Sequence, residues 1–246
     1  MTNTVAIIQA RMGSSRLPGK VLKDIFGRTT LGWITDAAYA VTGIDDVVVA
    51  TSTLNNDRVI ADWCEDYGIN YYRGSETDVL GRVLDAARQH EADVIVRLTG
   101  DCPFLDPTVI GEVIQLRKMK DAAYATNTDP PSYPDGLDVE VFTMAALESA
   151  AREATRGTDR DTVTRFLVRN RYRFPSANLV CPLPGLVADR WVLDSPEDLT
   201  FILCVARILH DKGIKTPNYL QILKILDENP DLKSINAKFS RNERFY

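Results

Sequence analysis

The segment Gln9–Lys20, QARMGSSRLPGK, gathers two glycines, two serines, two arginines and a lysine directly behind the apolar run Val5–Ile8. A turn of small residues lets backbone N–H groups converge on an anion, and Arg11, Arg16 and Lys20 add positive charge there. A phosphate-bearing ligand suits this chemistry; a flexible basic surface turn is the alternative. Neither common phosphate loop applies. Gly13 and Gly19 have five residues between them where a Walker A loop has four, and Val21 follows Lys20 where Ser or Thr would meet magnesium. The G-x-G-x-x-G of a dinucleotide turn is also missing.

Carboxylates form a second set. Asp101 in LTGDCP and Asp194 in VLDSPEDL each follow a strand-like run. A hard dication is held by one or two carboxylates together with phosphate oxygens and waters. Asp101 could instead be a turn carboxylate, and Asp194 a partner of the helix dipole. In Asp135, Asp138 and Glu140, the last two share a face if 138–142 is a strand. They suit a polyhydroxylated acceptor, a second metal contact or a solvent-facing polar edge. His90 and His210 fall near expected helix C-termini, which leaves no Ser-His-Asp or Cys-His arrangement. Cys64, Cys102, Cys181 and Cys204 form no C-x-x-C pair and read as reduced, mostly buried thiols.

These residues need a frame. The chain has 246 residues, 45% of them hydrophobic, enough for one large domain. A net charge of −5 argues against general nucleic-acid binding. No run is long and apolar enough for a membrane span, and the N-terminus resembles no targeting segment, so a cytoplasmic protein is expected. Strand-like runs at 5–9, 46–51, 69–72 and 93–98 alternate with helix-like ones at 31–41, 57–67, 77–89 and 107–118. That alternation predicts an α/β fold with a doubly wound, mostly parallel sheet. Such sheets bind ligands beyond the carboxyl ends of their strands, where 9–20, 51–53, 73–82 and 99–103 lie. The second half is less regular: a turn-rich loop at 127–138, a strand at 139–143, helices at 144–155 and 159–169, and strand-like pieces at 174–181 and 190–194. Ser195-Pro196-Glu197-Asp198 starts a helix running to about Lys212, stopped by Gly213; a helix near 218–228 and a polar tail follow.

The opening segment resembles the signature of the sugar-activating cytidylyltransferases, the group of the CMP-3-deoxy-octulosonate and CMP-sialic acid synthetases, and most of all the branch of spore-coat polysaccharide biosynthesis proteins. Ala10, Arg11, Ser14, Arg16, Leu17, Pro18, Gly19 and Lys20 match its A-R-x-x-S-x-R-L-P-G-K pattern. The likeness continues through RLTGDCPFLDP (97–107), YPDGLDVEVF (133–142), DRWVLDSPEDL (189–199) and NPDLKSIN (229–236), nearly the whole chain. It implies a Rossmann-like nucleotidyltransferase fold of the glycosyltransferase-A type, with Ala10, Arg11, Gly13, Ser14, Arg16 and Lys20 around the triphosphate of CTP. Arg11 and Lys20 would be the catalytic cations, and Asp101 and Asp194 the Mg2+ ligands. Arg73, Ser75, Asp78 and Arg82 fall in the region that meets base and ribose in those families.

Seven arginines between 152 and 173 suit a solvated helix face, an anionic substrate or a subunit contact, and Arg160 joins Asp135, Asp138 and Glu140 as a candidate acceptor contact. The family pattern Arg-Glu-His-Val-Thr is here Arg160-Asp161-Thr162-Val163-Thr164, without the histidine. The resulting expectation is a single domain over 1–246, with an acceptor-binding and dimerisation arm at about 127–190. It would move CMP from CTP to a sugar, sugar acid or similar acidic acceptor, releasing pyrophosphate, for surface polysaccharide, as a homodimer without nucleic-acid or membrane partners. The alternatives are a phosphonate cytidylyltransferase, a nucleotide-sugar glycosyltransferase, whose D-x-D motif Asp101-Cys102-Pro103 breaks, and a silent nucleotide-binding module.

Overall fold

The computed structural model describes residues 2–241; the end of the polar tail lies outside the described residues. The first half alternates as β1 (Thr4–Gln9), α1 (Thr30–Tyr39), β2 (Asp46–Ser52), α2 (Arg58–Tyr67), β3 (Asn70–Gly74), α3 (Val79–Gln89), β4 (Val94–Thr99) and α4 (Pro107–Met119). The second half adds β5 (Tyr124–Thr126), β6 (Glu140–Thr143), α5 (Met144–Glu153), α6 (Gly157–Thr162), α7 (Arg165–Arg169), β7 (Ser176–Asn178), α8 (Pro196–Asp211) and α9 (Tyr219–Glu228). Seven strands form one sheet in the order β3-β2-β1-β4-β6-β5-β7. β1 pairs in parallel with β2 and β4, and β6 is antiparallel to β4 and β5. The doubly wound, mostly parallel α/β expectation holds.

Two core layers follow from the two-residue period of the strands. Ala6, Ile8, Val47, Val49, Val96 and Leu98 pack with α1, α2, α4, α8 and α9 on one face. Val5, Ile7, Val48, Ala50 and Ile95 pack with α3, α5 and α7 on the other. The central strands, covered on both sides, carry near-continuous apolar runs for this reason. Among the described residues no helix is long and apolar enough to cross a membrane.

Three elements depart from the sequence pattern. β5 is only three residues long, too short for a periodic signal. The helix expected over 159–169 is two helices broken at Val163, whose φ of 61° and ψ of −61° make a γ-turn closed by Thr164 N–H on the Thr162 carbonyl at 2.7 Å. The segment 190–194 is extended but is no strand, because its backbone divides between two partners. Trp191 N–H donates to the Asp135 carbonyl at 2.6 Å and Leu193 N–H to the Asp101 carbonyl at 2.7 Å, which leaves a single isolated bridge, Arg190 to Asp135.

That stitching depends on Gly136. Its φ is +110°, and a Cβ there would lie 2.7 Å from the Trp191 carbonyl carbon. Gly136→Ala is therefore expected to cost at least about 1–3 kcal/mol, read as a lower urea midpoint with an unchanged slope. An unchanged midpoint would show that the 133–138 loop yields freely.

Candidate active site

The loop after β1 is a closed unit before any ligand arrives. The Met12 carbonyl accepts from Ser14 N–H at 2.9 Å and from Gly19 N–H at 3.0 Å, and Ser14 Oγ accepts from Leu17 N–H at 3.3 Å. Asp57, buried at the start of α2, accepts from Met12 N–H at 2.7 Å and from the Ser52 hydroxyl, tying the loop to the end of β2. Ala10 is buried against Gly100, where a side chain would strike the Gln9 carbonyl at 2.7 Å. A Cβ on Gly13 would touch nothing, so the loop is open to a ligand at that point.

Lys20 turns inward from this loop. Its ammonium lies 2.6 Å from Asp101 Oδ2, just past β4, and 2.9 Å from Asp194 Oδ1, just before α8. The side chains of Lys20 and Asp194 are 9% and 8% exposed, that of Asp101 26%. Arg16 also pairs with Asp194. Residues 16, 20, 101 and 194, distant in sequence, thus form one charge cluster at the carboxyl edge of the sheet. Asp194 does not cap α8. Ser195 and Asp198 do so through a capping box, with Asp198 N–H on Ser195 Oγ at 3.1 Å and Ser195 N–H on Asp198 Oδ2 at 2.9 Å.

The donor set fits a dication. Two carboxylates from different elements converge on one cation, and among the described residues no group of three or more His, Cys, Asp or Glu is arranged to hold a metal alone. Two carboxylates completed by phosphate oxygens and waters are what magnesium takes. Cys102, beside Asp101, is buried, and burial first, then Asp101, pushes its thiol well above the ordinary range, which disfavours the thiolate.

A second group collects at the start of α3. Asp78 is its N-cap, accepting from Gly81 N–H at 2.9 Å, and also pairs with Arg160. Burial raises the Asp78 carboxyl, but Arg160 and the Gly81 N–H outweigh it and the net shift is downward. Arg82 is buried, with its Nε–H unpartnered and another N–H on the Ser75 carbonyl. Burial, then the nearby Arg11, pulls its pKa down. Arg11 itself is exposed and, among the described residues, has no ion-pair partner. Arg73 lies elsewhere, donating to the carbonyls of Ser52 at 3.0 Å and Leu54 at 2.8 Å.

A third group sits behind Asp101. Arg190 binds both oxygens of Asp198 at 2.9 Å and reaches Asp135 at 3.2 Å, while Asn236 donates to Asp198 at 2.9 Å. Arg241 pairs with Asp138 and donates to the Tyr133 carbonyl at 2.9 Å. Glu140 points to a different neighbourhood, paired with Arg97 and accepting from the Tyr124 hydroxyl at 2.6 Å. Much of the arginine run is neutralised locally: Arg152 and Arg173 pair with Glu153, Arg169 with Asp159 and Arg171 with Asp129. Asp57, Arg190, Asp198, Asn236 and Arg241 were not singled out from the sequence. Arg190, Asp198 and Asn236 do lie inside the motif stretches 189–199 and 229–236, which was the available signal.

A doubly wound sheet with a basic turn after its first strand and paired acids at two other loop ends defines a nucleotide-handling α/β protein. The cytidylyltransferase sequence pattern matches residues 5–174. The spore coat polysaccharide biosynthesis protein SpsF of Bacillus subtilis is 31% identical over 245 residues, covering 94% of this chain and 97% of its own. The 3-deoxy-manno-octulosonate cytidylyltransferase of Trichlorobacter lovleyi is 35% identical over 113 residues, 45% of this chain and 43% of its own. A cytidylyltransferase structure from Leptospira borgpetersenii superposes with a TM-score of 0.87 at 28% identity, covering 94% of this chain and 97% of that one. The chain belongs to the cytidylyltransferase family, and it is an enzyme of the nucleotidyltransferase class.

Asp138 supplies a pH test of this geometry. Burial first, and then Asp135 and Glu140, pushes its carboxyl up to about 6 against the pull of Arg241. The folded chain therefore holds this proton more tightly than the unfolded one, and the Asp138 contribution to stability falls as pH rises from about 4 to about 6. Asp138→Asn should gain stability relative to the unaltered protein across that window, read as Tm differences at pH 4.5 and 7.5. A difference independent of pH would contradict the assigned environment.

Proposed function

We propose that the protein transfers CMP from CTP to a sugar, sugar acid or similar acidic acceptor, releasing pyrophosphate, in the making of surface polysaccharide. The observation that carries this reading is Lys20 between Asp101 and Asp194, at the sheet edge where the glycine- and serine-containing loop ends. The full-length likeness to SpsF supports the polysaccharide setting, and the partial likeness to an octulosonate cytidylyltransferase supports a sugar acid as acceptor.

The loop residues Ala10, Arg11, Gly13, Ser14, Arg16 and Lys20 surround the triphosphate, with Arg11 and Lys20 neutralising the charge that builds on the departing pyrophosphate. Arg82, buried beside Arg11 with an unpartnered Nε–H, adds a second cation on that side. Ser75 and Asp78 shape the base and ribose side, and Arg73 contributes from outside that group by fixing the 52–54 backbone. Asp101 and Asp194 would hold Mg2+, which when bound neutralises phosphate oxygens during displacement. The acceptor oxygen attacks the α-phosphorus in line, so catalysis is mostly positioning and charge neutralisation. Asp135 and Asp138 face the acceptor hydroxyls, with Arg160 and Glu140 supporting from Asp78 and Arg97. The arm at about 127–190 would complete the acceptor site and contact a second subunit of a homodimer. The reading keeps the reaction in the cytoplasm without nucleic-acid or membrane partners, supported by the net charge of −5 and by the lack, among the described residues, of a helix long and apolar enough to cross a membrane.

The test is a panel of acidic sugars with CTP and magnesium, read by product mass and pyrophosphate release. Lys20→Ala and Asp101→Asn are each expected to lower kcat by about 100- to 1,000-fold, with far-UV circular dichroism unchanged. Turnover of either variant close to the unaltered rate at saturating CTP would reject the assigned roles.

A further inference from the structure

Lys20 stands where a metal ion would have to stand. Its ammonium is 2.6 Å from one Asp101 oxygen and 2.9 Å from one Asp194 oxygen. Magnesium requires its oxygens at about 2.0–2.1 Å, and Lys20 holds one oxygen of each carboxylate while Arg16 holds the other oxygen of Asp194, so a dication entering there competes with both cations. Their charge is also already compensated from within the chain, since Asp194 is paired with Arg16 as well. A dication approaching without nucleotide works against a buried cation that, among the described residues, has no other anion within its present contacts. A bound triphosphate changes that balance. It brings several negative charges to the loop that carries Lys20 and offers the ammonium a new acceptor. The lysine stem has enough rotatable bonds to swing without moving its backbone. That backbone is fixed: the Lys20 carbonyl accepts from the Thr30 hydroxyl at 2.7 Å, and its N–H donates to the Leu17 carbonyl at 3.2 Å.

We infer that Lys20 is an internal counter-ion that keeps the metal site closed until the nucleotide is bound, so that metal loading depends on CTP. This rests on the reading of Asp101 and Asp194 as the metal ligands. The coupling is reciprocal: whatever CTP does to metal affinity, the metal does to CTP affinity. Lys20 thereby acts as a positioning residue for the metal before it neutralises phosphate.

The experiment uses Mn2+ as probe and the full chain without nucleotide, with bound ion measured by the loss of the free Mn2+ electron paramagnetic resonance signal. The unaltered protein is expected to bind Mn2+ no more tightly than about 1 mM. Lys20→Met, which removes the charge and keeps the length, should bind one Mn2+ at least about tenfold more tightly. Adding Asp101→Asn to Lys20→Met should abolish that gain. Lys20→Gln repeats the measurement if Lys20→Met proves unstable. Equal affinity in the unaltered protein and the lysine variants overturns the proposal. Calorimetry of CTP binding, with and without Mn2+, then locates the fault. If Mn2+ tightens CTP binding to the unaltered protein but not to Asp101→Asn, the ligand assignment stands and only the counter-ion role of Lys20 fails. If Asp101→Asn keeps the full effect of Mn2+, the ligand assignment itself is wrong and the inference falls with it.

Discussion

The site depends on one buried ion cluster. Lys20, Asp101 and Asp194 come from the loop after β1, the turn after β4 and the segment before α8, and they meet within 2.9 Å. Burying such charges is costly, and apolar residues of similar shape often stabilise a protein as well or better. Removing one partner alone, however, leaves an uncompensated charge in a poorly solvated place. The cluster therefore ties three loop ends together through charge. On the proposed reaction, that cost is offset by the use of the same three charges in handling a phosphate and a dication.

The surrounding structure keeps those loop ends in place. Asp57 fixes the first loop through Met12 N–H, and the capping box of Ser195 and Asp198 fixes the start of α8. Asp198 does double service, since Arg190 clamps it bidentately and Asn236 satisfies it further. Bidentate arginine–carboxylate pairs are directional as well as strong, so Asp194, four residues before Asp198, inherits a defined position. Leu193 N–H on the Asp101 carbonyl then sets the two acids side by side.

Much of this was legible in the sequence, and the illegible part has a physical pattern. β1, β2 and β4 could be read as short, near-continuous apolar runs, and α1 and α3 because their apolar residues recur at the helix period. The helix start at Ser195 could be read because capping chemistry is local. Lys20, Asp101 and Asp194 could be named from residue type and loop position, but not the contact among them, which joins positions 81 and 174 residues apart. The same limit hid Arg190 on Asp135 and Arg241 on Asp138, pairs 55 and 103 residues apart. Residue type says that a carboxylate is charged; only the fold says which cation answers it. The segment 190–194 was misread for a related reason. Its short apolar run, Trp191-Val192-Leu193, suits a strand, but its backbone serves two partners and closes a ladder with neither.

The electrostatics divide the site into two unlike sides. Toward α3, Arg11 and Arg82 crowd together, and the buried Arg82 is pulled down in pKa with one N–H unpartnered. Asp57, Asp161 and Asp78 oppose that pull, and an anion near both arginines would oppose it further. Toward the 133–138 loop the imbalance is reversed. Asp135 and Asp138 are both raised, burial first, despite Arg190 and Arg241. Carboxylates in that condition accept hydrogen bonds from hydroxyl groups readily and tolerate further negative charge poorly. On the proposed reaction, an acidic acceptor presents its hydroxyls to Asp135 and Asp138 and keeps its own charge away from them.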